Sequence, residues 1–330
     1  MSSSYDKIDS PIALAIQRRG RRWVNAALPY AFISPALAMI LVFTLIPLAL
    51  VFWYSVHNWD LRKPWEQGQF VGLRHFLTIL DPGRDELFYP SLLKSFIWVF
   101  GSVSVQFICG LGLALMLNQT FFGRAIYRSI MLCPWAVSGV LTGLIWVWMF
   151  HETAGVINDL LDRAGLLHLS LWLGLSEVPR RVAWLAYPGT AMCAIIVANV
   201  WRGIAFFAIS LLAGLQTISE DVYEAGAIDG AGTWQQFRYV TLPLLRDVVV
   251  VTTLLRSIWT FNFVDLIYTM TGGGPANSTL TLAVYTMEKA TVGLNYGYAS
   301  ALAVILFLIL LGASVFYFKI TGFARGGAGE

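Results

Sequence analysis

The sequence contains few charged residues. Asp, Glu, Lys and Arg make up 12% of its 330 residues, while 57% are hydrophobic. An ordinary soluble domain carries about 25% charged residues, so that class is excluded. The net charge of +3 is too small to indicate a nucleic-acid partner, and no basic patch occurs outside the N-terminal tail.

Cysteine and histidine are also scarce. The three cysteines, Cys109, Cys133 and Cys193, lie in apolar runs, which predicts small core residues rather than disulfides. The four histidines lack the spacing of a metal site, so we expect no metal. A phosphate-binding Gly-x-x-x-x-Gly-Lys-Ser/Thr loop is absent too, so we expect neither ATP hydrolysis nor a cofactor in this chain.

Long apolar runs dominate the sequence. Six of them reach the roughly 20 residues that a helix needs to cross a bilayer. Because a bilayer offers no water to the backbone, the runs must be helical, which predicts an all-α integral membrane protein with six transmembrane helices. The first run is also longer than a signal-peptide core of about 7 to 15 residues. The predicted spans are 31–53, 92–117, 129–150, 188–211, 248–270 and 299–318, with kinks at Pro35, Pro47 and Pro134.

Basic residues beside the spans predict the orientation. By the excess of Lys and Arg at cytoplasmic span ends, both termini and the loop before the fifth run are cytoplasmic. The predicted parts are a cytoplasmic tail at 1–26, a permease domain at 27–320 with a cytoplasmic loop at about 216–246, and a tail at 321–330. On the outer side, His151 to Asp162 has the apolar spacing of a short surface helix. The basic residues that decide the orientation are Arg18, Arg19, Arg21, Arg22, Arg124, Arg128, Arg246 and Lys319.

A polar stretch from Glu224 to Pro243 interrupts the apolar pattern. Its fixed positions resemble the cytoplasmic signature of permease subunits of bacterial ATP-binding-cassette importers. Gly226 and Val240 depart from the usual Ala and Ile, and Gly226 costs a helix about 1 kcal/mol relative to Ala. The resemblance implies docking onto separate ATPase subunits. The coupling residues that it implies are Glu224, Ala225, Gly226, Asp229, Gly230, Leu242 and Pro243.

Local patterns predict the shape of this loop. Thr217 and Glu220 form a capping box for a helix that runs to about Asp229, and Gly230 permits a sharp turn. A second short helix follows from Trp234 to Tyr239, and Pro243 is expected to stop it. Two helices joined at a glycine form a compact element that would pass ATPase closure to the spans as a rigid-body movement.

Polar residues inside the spans are the next candidates. A charge at mid-bilayer costs at least about 2.5 to 3.5 kcal/mol, so each is expected to face a cavity or a partner. One interpretation is that Arg202 or Arg256 pairs with Asp265 and locks helices together. The other is that these residues bind the transported solute. The set comprises Asn199, Arg202, Arg256, Asn262 and Asp265.

Several segments resemble carbohydrate permeases of the maltose-transporter type. They include Pro134 to Gly139, Asn199 to Phe206 and Trp259 to Asp265, and the likeness covers about 30–318. It implies a type I ABC importer permease fold and a sugar pocket, in which aromatic rings stack on pyranose C–H faces while Asn and Arg donate to hydroxyls. Ala205 replaces the family's usual proline. The implied pocket residues are Trp135, Gly139, Asn199, Arg202, Gly203, Phe206, Arg256 and Thr260.

The resemblance implies a non-enzymatic, multi-pass subunit of the bacterial inner membrane that imports a sugar by alternating access. The partners implied are a second homologous permease, two ATP-binding subunits that hold ATP and Mg, an extracytoplasmic solute-binding protein, membrane lipid and the sugar, without nucleic acid. Two arginines leave open an anionic solute, namely a phosphorylated, sulfonated or uronic sugar or a glycerol phosphate type of compound. An ion-coupled secondary transporter would leave the Glu224 loop unexplained, and an intramembrane hydrolase using Ser138 would lack a histidine within the predicted spans.

Overall fold

The computed structural model describes residues 29–166 and 181–322. The predicted N-terminal tail at 1–26, most of the predicted C-terminal tail and His168 lie outside the described residues. Contacts divide the chain into two units, Met1–Tyr54 and Ser55–Glu330.

The first unit contains one span, helix α1 (Pro29–Ser55), which confirms the first predicted crossing. A π-helical turn at Leu41–Leu45 widens it just before Pro47. Proline has no N–H for the carbonyl four residues earlier, so the helix is irregular at one of the predicted proline positions.

Three continuous helices of the second unit are long and apolar enough to cross a membrane: α3 (Phe88–Asn118), α7 (Pro188–Leu215) and α14 (Tyr296–Thr321). Two further crossings are built from bent pairs, which gives six spans when each pair counts as one. The predicted number of spans and the all-α class are therefore confirmed.

The bent pairs differ from the straight spans that were expected. Helices α4 (Arg124–Ala136) and α5 (Gly139–Met149) meet at 95°, and α11 (Arg246–Phe261) and α12 (Asp265–Thr271) meet at 44°. Pro134 lies inside α4, but the break comes after it, where the Ser138 Oγ caps α5 by accepting from the Leu141 N–H. The predicted kink at Pro134 is thus a right-angled elbow a few residues later.

At one end of the second unit, residues 57–87 and 272–298 form a cap. Strand β1 (His57–Asn58) pairs antiparallel with β2 (Gln69–Phe70), a 3-10 turn covers Pro64–Glu66, and the helices are α2 (Arg74–Leu80) and α13 (Leu282–Thr291).

Backbone hydrogen bonds join the two halves of the cap. The Leu61 N–H donates to the Leu294 carbonyl at 2.9 Å, and the Tyr296 N–H donates to the Trp59 carbonyl at 2.8 Å. The buried Asp85 carboxylate accepts from the hydroxyls of Tyr285 and Tyr298. Burial and this carboxylate raise the pKa of Tyr285, so its hydroxyl stays protonated and remains a donor.

The predicted surface helix is α6 (Val156–Arg163). Its buried Asn158 holds the loop together. The Nδ2 donates to the carbonyls of Glu152 and Val182 at 3.0 Å each, and the Oδ1 accepts from the Val182 N–H and the Trp184 Nε1–H.

The three cysteines are exposed on the surface of this chain, so their prediction as core residues is wrong. A lipid-facing helix surface is as apolar as a core, and an apolar run alone does not tell one face from the other.

Candidate functional site

A polar network lies midway along α3, α7 and α11. The Arg256 side chain, only 4% exposed, donates from Nε to the Gln106 Oε1 at 2.7 Å and from Nη2 to the Asn199 Oδ1 at 3.0 Å. Gln106 donates in turn to the Asn199 carbonyl at 2.8 Å. A buried cation is thus held by neutral acceptors on two neighbouring spans.

Gly203 is part of this arrangement because a side chain there has no room. A Cβ at Gly203 would overlap the Arg256 Nη2 and the Gln106 amide. One turn beyond Arg256, the buried Thr260 accepts at its carbonyl from the Trp98 Nε1–H at 2.9 Å. Five of the predicted pocket residues therefore lie in the packed interior of the chain: Asn199, Gly203, Arg256, Thr260 and Gly139.

Arg202 has a different environment. It is half-buried, its Nε donates to the Val137 carbonyl at the elbow between α4 and α5 at 3.1 Å, and its guanidinium lies 4.9 Å from the centre of the Phe263 ring. Phe263 lies in the break between α11 and α12. Arg202 therefore bridges the breaks of both bent spans.

Gly139 brings these two breaks together. A Cβ on this residue would lie 2.8 Å from the Phe263 ring and 3.0 Å from the Asp265 Cβ. The glycine thus permits close approach of α5 to the start of α12.

The aromatic candidates border the same region. Phe206 lies one turn after Arg202 on α7, and its ring centre is 5.2 Å from that of Trp259. Trp135 is exposed near the elbow, two residues before the carbonyl that Arg202 contacts. Arg202, Phe206 and Trp135 are thus the accessible members of the predicted set, with Gly139 packed behind them.

No ion pair joins the arginines to Asp265. Among the described residues, neither Arg202 nor Arg256 has a carboxylate oxygen within 4.0 Å. The two guanidiniums are close enough to repel each other, and Asp265 is close enough to attract Arg202. The interpretation of a salt-bridge lock is therefore replaced by hydrogen bonding of Arg256 to Gln106 and Asn199.

Sequence reasoning missed Gln106. It is a lone amide within the apolar run 92–117. Because an unpaired amide in a bilayer is costly, this position could have identified Gln106 as a residue with a polar partner. Sequence reasoning also missed the contacts of Phe263 and Trp259, because their roles depend on where the fifth span breaks.

The loop before the fifth span contains the predicted pair of short helices. Helix α8 (Glu220–Ile228) is capped by Ser219, whose Oγ accepts from the Asp221 N–H at 3.3 Å, so the predicted capping box at Thr217 is wrong. Gly230 turns the chain at φ +84°, a left-handed conformation that favours glycine. Helix α9 (Thr233–Gln236) follows, where the Gln235 Oε1 accepts from the Gly232 N–H at 2.8 Å.

Pro243 does not stop the second helix. A π-helical turn (Phe237–Thr241) leads into α10 (Leu242–Leu244), where Pro243 lies in the first turn, and α11 begins at Arg246. Proline is accommodated here because the π-helical turn that precedes it already interrupts the regular bonding of each N–H to the carbonyl four residues earlier. The loop is thereby connected by nearly continuous helix to the fifth span.

The loop is compact and has an apolar surface. The Gln236 Nε2 donates to the Tyr223 carbonyl at 3.2 Å, which links α9 to α8. Ile228, Trp234 and Tyr239 are 86%, 72% and 73% exposed. Of the predicted coupling residues, Glu224, Ala225, Asp229, Gly230 and Pro243 are exposed, whereas Gly226 and Leu242 are half-buried.

Comparisons with known proteins add to this geometry. The family model "Binding-protein-dependent transport system inner membrane component" matches residues 106–319. The chain is 36% identical to the trehalose/maltose transport system permease protein MalF of Thermococcus litoralis, over 92% of this chain and 97% of that protein. It is 32% identical to the sulfoquinovosyl glycerol transport system permease protein SmoG of Agrobacterium fabrum, over 92% and 94%.

A solved structure shares the fold. With a TM-score of 0.72 and 23% identity, over 92% of this chain and 98% of the other, the chain is similar to one in the crystal structure of a bacterial ABC transporter involved in the import of the acidic polysaccharide alginate.

Proposed function

Because the chain belongs to the inner membrane components of binding-protein-dependent transport systems, we propose that it is the membrane-spanning subunit of an ATP-driven importer for a sugar or sugar derivative. Its helical fold is that of a type I ABC importer permease. Relatives named for trehalose, maltose and sulfoquinovosyl glycerol transport support a carbohydrate solute. A solute-binding protein would deliver it, since an alginate transporter of similar fold was crystallised with its periplasmic protein.

The proposal that ATPase subunits drive transport rests on the exposed apolar side chains of the loop around Gly230. Three large apolar side chains project from a segment that also carries the exposed acidic residues Glu224 and Asp229. Apolar groups concentrated on a polar element are typical of protein interfaces. Two ATPase subunits holding ATP and Mg are the proposed partners, together with a second permease.

The proposed orientation places this loop, residues 216–246, and both termini in the cytoplasm. The loop lies between the end of α7 and the start of α11, while the cap lies at the opposite span ends. ATPase docking and delivery by an extracytoplasmic protein would then occur on opposite sides of the membrane. The proposed domain limits are 1–26 for the N-terminal tail, 27–320 for the permease domain and 321–330 for the C-terminal tail.

A pair of glycine substitutions tests the docking role. Gly230→Val places a β-branched residue at φ +84°, and we expect loss of sugar-stimulated ATP hydrolysis in the reconstituted complex. Gly226→Ala is the matched control, because its Cβ would make ordinary contact with the Gln236 Cγ at 3.8 Å and would favour the helix. Full stimulation by an assembled Gly230→Val complex would exclude this docking role.

For sugar binding, the pocket residues divide by accessibility. Arg202, Phe206 and Trp135 are proposed to contact the solute, with Gly139 giving them room. Asn199, Gly203, Arg256 and Thr260 would position the helix that carries Arg202 and Phe206. The division follows from burial, because the residues proposed to contact the solute are exposed or half-buried and the positioning residues are buried.

A second candidate is an importer of an anionic sugar derivative. Within the described residues, Asp265 is the carboxylate that acts on Arg202 and none acts on Arg256, so the two guanidiniums leave one positive charge in excess. A sulfonate, phosphate or uronate could neutralise it through bidentate contacts to Arg202. SmoG, named for a sulfonated sugar conjugate, is a relative of compatible chemistry.

Competitive uptake distinguishes the two candidates. For an anionic solute, Arg202→Gln should weaken uptake of charged sugars by about 10-fold or more relative to neutral ones, which corresponds to losing one charge-assisted contact of about 1.5 to 3 kcal/mol. For a neutral solute, the variant should lower uptake of both classes without changing their ratio. Arg256→Gln serves as the comparison. Because Arg256 is proposed to position a helix, its substitution should lower thermal stability instead.

A further inference from the structure

The cap contains a cavity of about 280 Å³ whose lining includes three cations and no carboxylate. Arg62 and Arg84 come from the first half of the cap and Lys289 from α13. The cavity is smaller than the roughly 300 to 1,000 Å³ of sites for drug-sized ligands, so it suits a small group. The lining residues are Arg62, Thr78, Arg84, Lys289, Gly293, Asn295 and Tyr298.

Three carboxylates close in sequence to the lining residues are already bound within the protein. Asp60 accepts from the Arg62 backbone N–H, Nε and Nη2 at 2.9 to 3.0 Å. Asp85 accepts from the N–H groups of Leu87 and Phe88 as well as from the two tyrosine hydroxyls. Asp81 pairs with the Arg84 Nε at 3.2 Å.

Lys289 has no such partner among the described residues. Its Nζ lies 5.2 Å from the Tyr285 ring centre and 5.7 Å from that of Tyr298, in cation–π contact with both, and forms no ion pair. Arg62 and Arg84 are more than half exposed, so both keep N–H donors free of their carboxylates. A ligand in the cavity therefore meets donors from all three cations, and Lys289 is the one whose charge no carboxylate offsets within the described residues.

The cavity lies where the chain enters the bilayer. Asn295 caps α14 and Tyr298 is in its first turn, while Arg84 comes four residues before α3. Both helices are membrane spans. The cations are thus at the membrane boundary, at the span ends opposite the loop around Gly230.

Beside the cations lies an exposed apolar row. Leu73, Leu77 and Leu80 have helical spacing at and along α2, and all three are exposed, whereas Ile79 on the same helix is fully buried. Thr78 of this helix lines the cavity. Exposed leucines beside cations at a bilayer boundary are typical of a surface in contact with acyl chains.

We propose that this cavity binds the phosphate of an anionic phospholipid, with the acyl chains lying along Leu73, Leu77 and Leu80. Arg62, Arg84 and Lys289 would donate to the phosphate oxygens, and the lipid would link α2 to α13. The proposal does not depend on the transported solute or on ATPase docking.

The test uses the complete transporter in detergent, titrated with phosphatidylglycerol or phosphatidylcholine and analysed by native mass spectrometry. We expect the wild type to retain phosphatidylglycerol preferentially. Arg84→Ala and Lys289→Ala should each weaken that binding about fivefold, the effect of one cation near an anionic membrane surface. Arg163→Ala is the matched control, because Arg163 is an exposed arginine that is paired with Asp159 on α6 and does not line the cavity.

Three results would overturn the proposal. One is unchanged phosphatidylglycerol binding in the double variant of Arg84 and Lys289. Another is equal competition by soluble glycerol phosphate, which would identify a site for a free anion. The third is weaker docking of the solute-binding protein to the double variant in phosphatidylcholine nanodiscs with lipid binding unchanged, which would assign the cations to a protein partner. Lys289→Arg keeps the charge and should retain the lipid.

Discussion

Gln106 shows how one amide allows a buried arginine in the middle of a membrane protein. Its oxygen accepts from Arg256 and its nitrogen donates to the Asn199 carbonyl, so both ends of the amide are used. Leaving a charge unpaired in such an interior is costly, whereas neutral acceptors compensate part of that cost. The pair of Arg256 and Gln106 therefore fixes the distance between α3 and α11.

Gly203 is the residue at which this network is most sensitive to volume. We expect Gly203→Ala to lower the unfolding free energy by about 1 to 3 kcal/mol, because its methyl group would overlap Arg256 and Gln106. Gly112→Ala is the control, since a Cβ there meets nothing within 4 Å and gains up to about 1 kcal/mol of helix propensity. Thermal melting of the purified complex compares them, and equal melting temperatures would contradict the packing.

At the scale of elements, the single side chain of Asn158 joins α6 to the segments on both sides of it in the sequence. The amide uses two donors and two acceptor contacts to join Glu152, Val182 and Trp184. An aspartate has nearly the same shape but no N–H when ionised.

We therefore expect Asn158→Asp to loosen this loop, because two carbonyls lose their donors and face a negative charge, at a cost of about 1 to 3 kcal/mol for each unsatisfied group. Limited proteolysis within 151–187 should become faster while the spans stay intact. Asn118→Asp is the control, since the Asn118 side chain makes no hydrogen bond within residues 29–166 and 181–322. Equal cleavage rates in both variants would show that Asn158 does not hold the loop.

The elements also show what hydropathy does and does not predict. Apolar length identified six crossings, because only helices satisfy their backbone in lipid. It did not predict the 95° elbow after Ala136, which depends on the Ser138 cap and on the contacts of Gly139 with Phe263. Arg202 and Asn199 were candidates from their polarity, but which of them is accessible depends on that elbow and on packing between helices distant in sequence.

At the scale of the whole molecule, the cap should make stability depend on pH through His75. Its Nε2 is 3.2 Å from the His57 carbonyl, and burial lowers the pKa of His75, with the charge of Arg74 acting in the same direction. Because the unfolded chain binds the proton more readily, stability is complete above the unfolded pKa of about 6.5 and falls as pH drops through the folded value.

His75→Gln keeps an N–H donor without a titration in this range. We expect the decline in melting temperature below about pH 6.5 to be smaller in this variant than in the wild type. An identical pH profile for the wild type and His75→Gln would contradict the assignment.

The joining of Leu61 to Leu294 and of Trp59 to Tyr296 has a consequence for biogenesis. These contacts connect residues 59–61 with residues 294–296, so the cap cannot close until the chain has been made as far as residue 296. Long-range contacts of this kind form late because the intervening chain must be ordered first. A nascent chain halted before residue 294 would lack α14 and would have an open cap, so protease cleavage within 57–87 would report whether synthesis has passed this point.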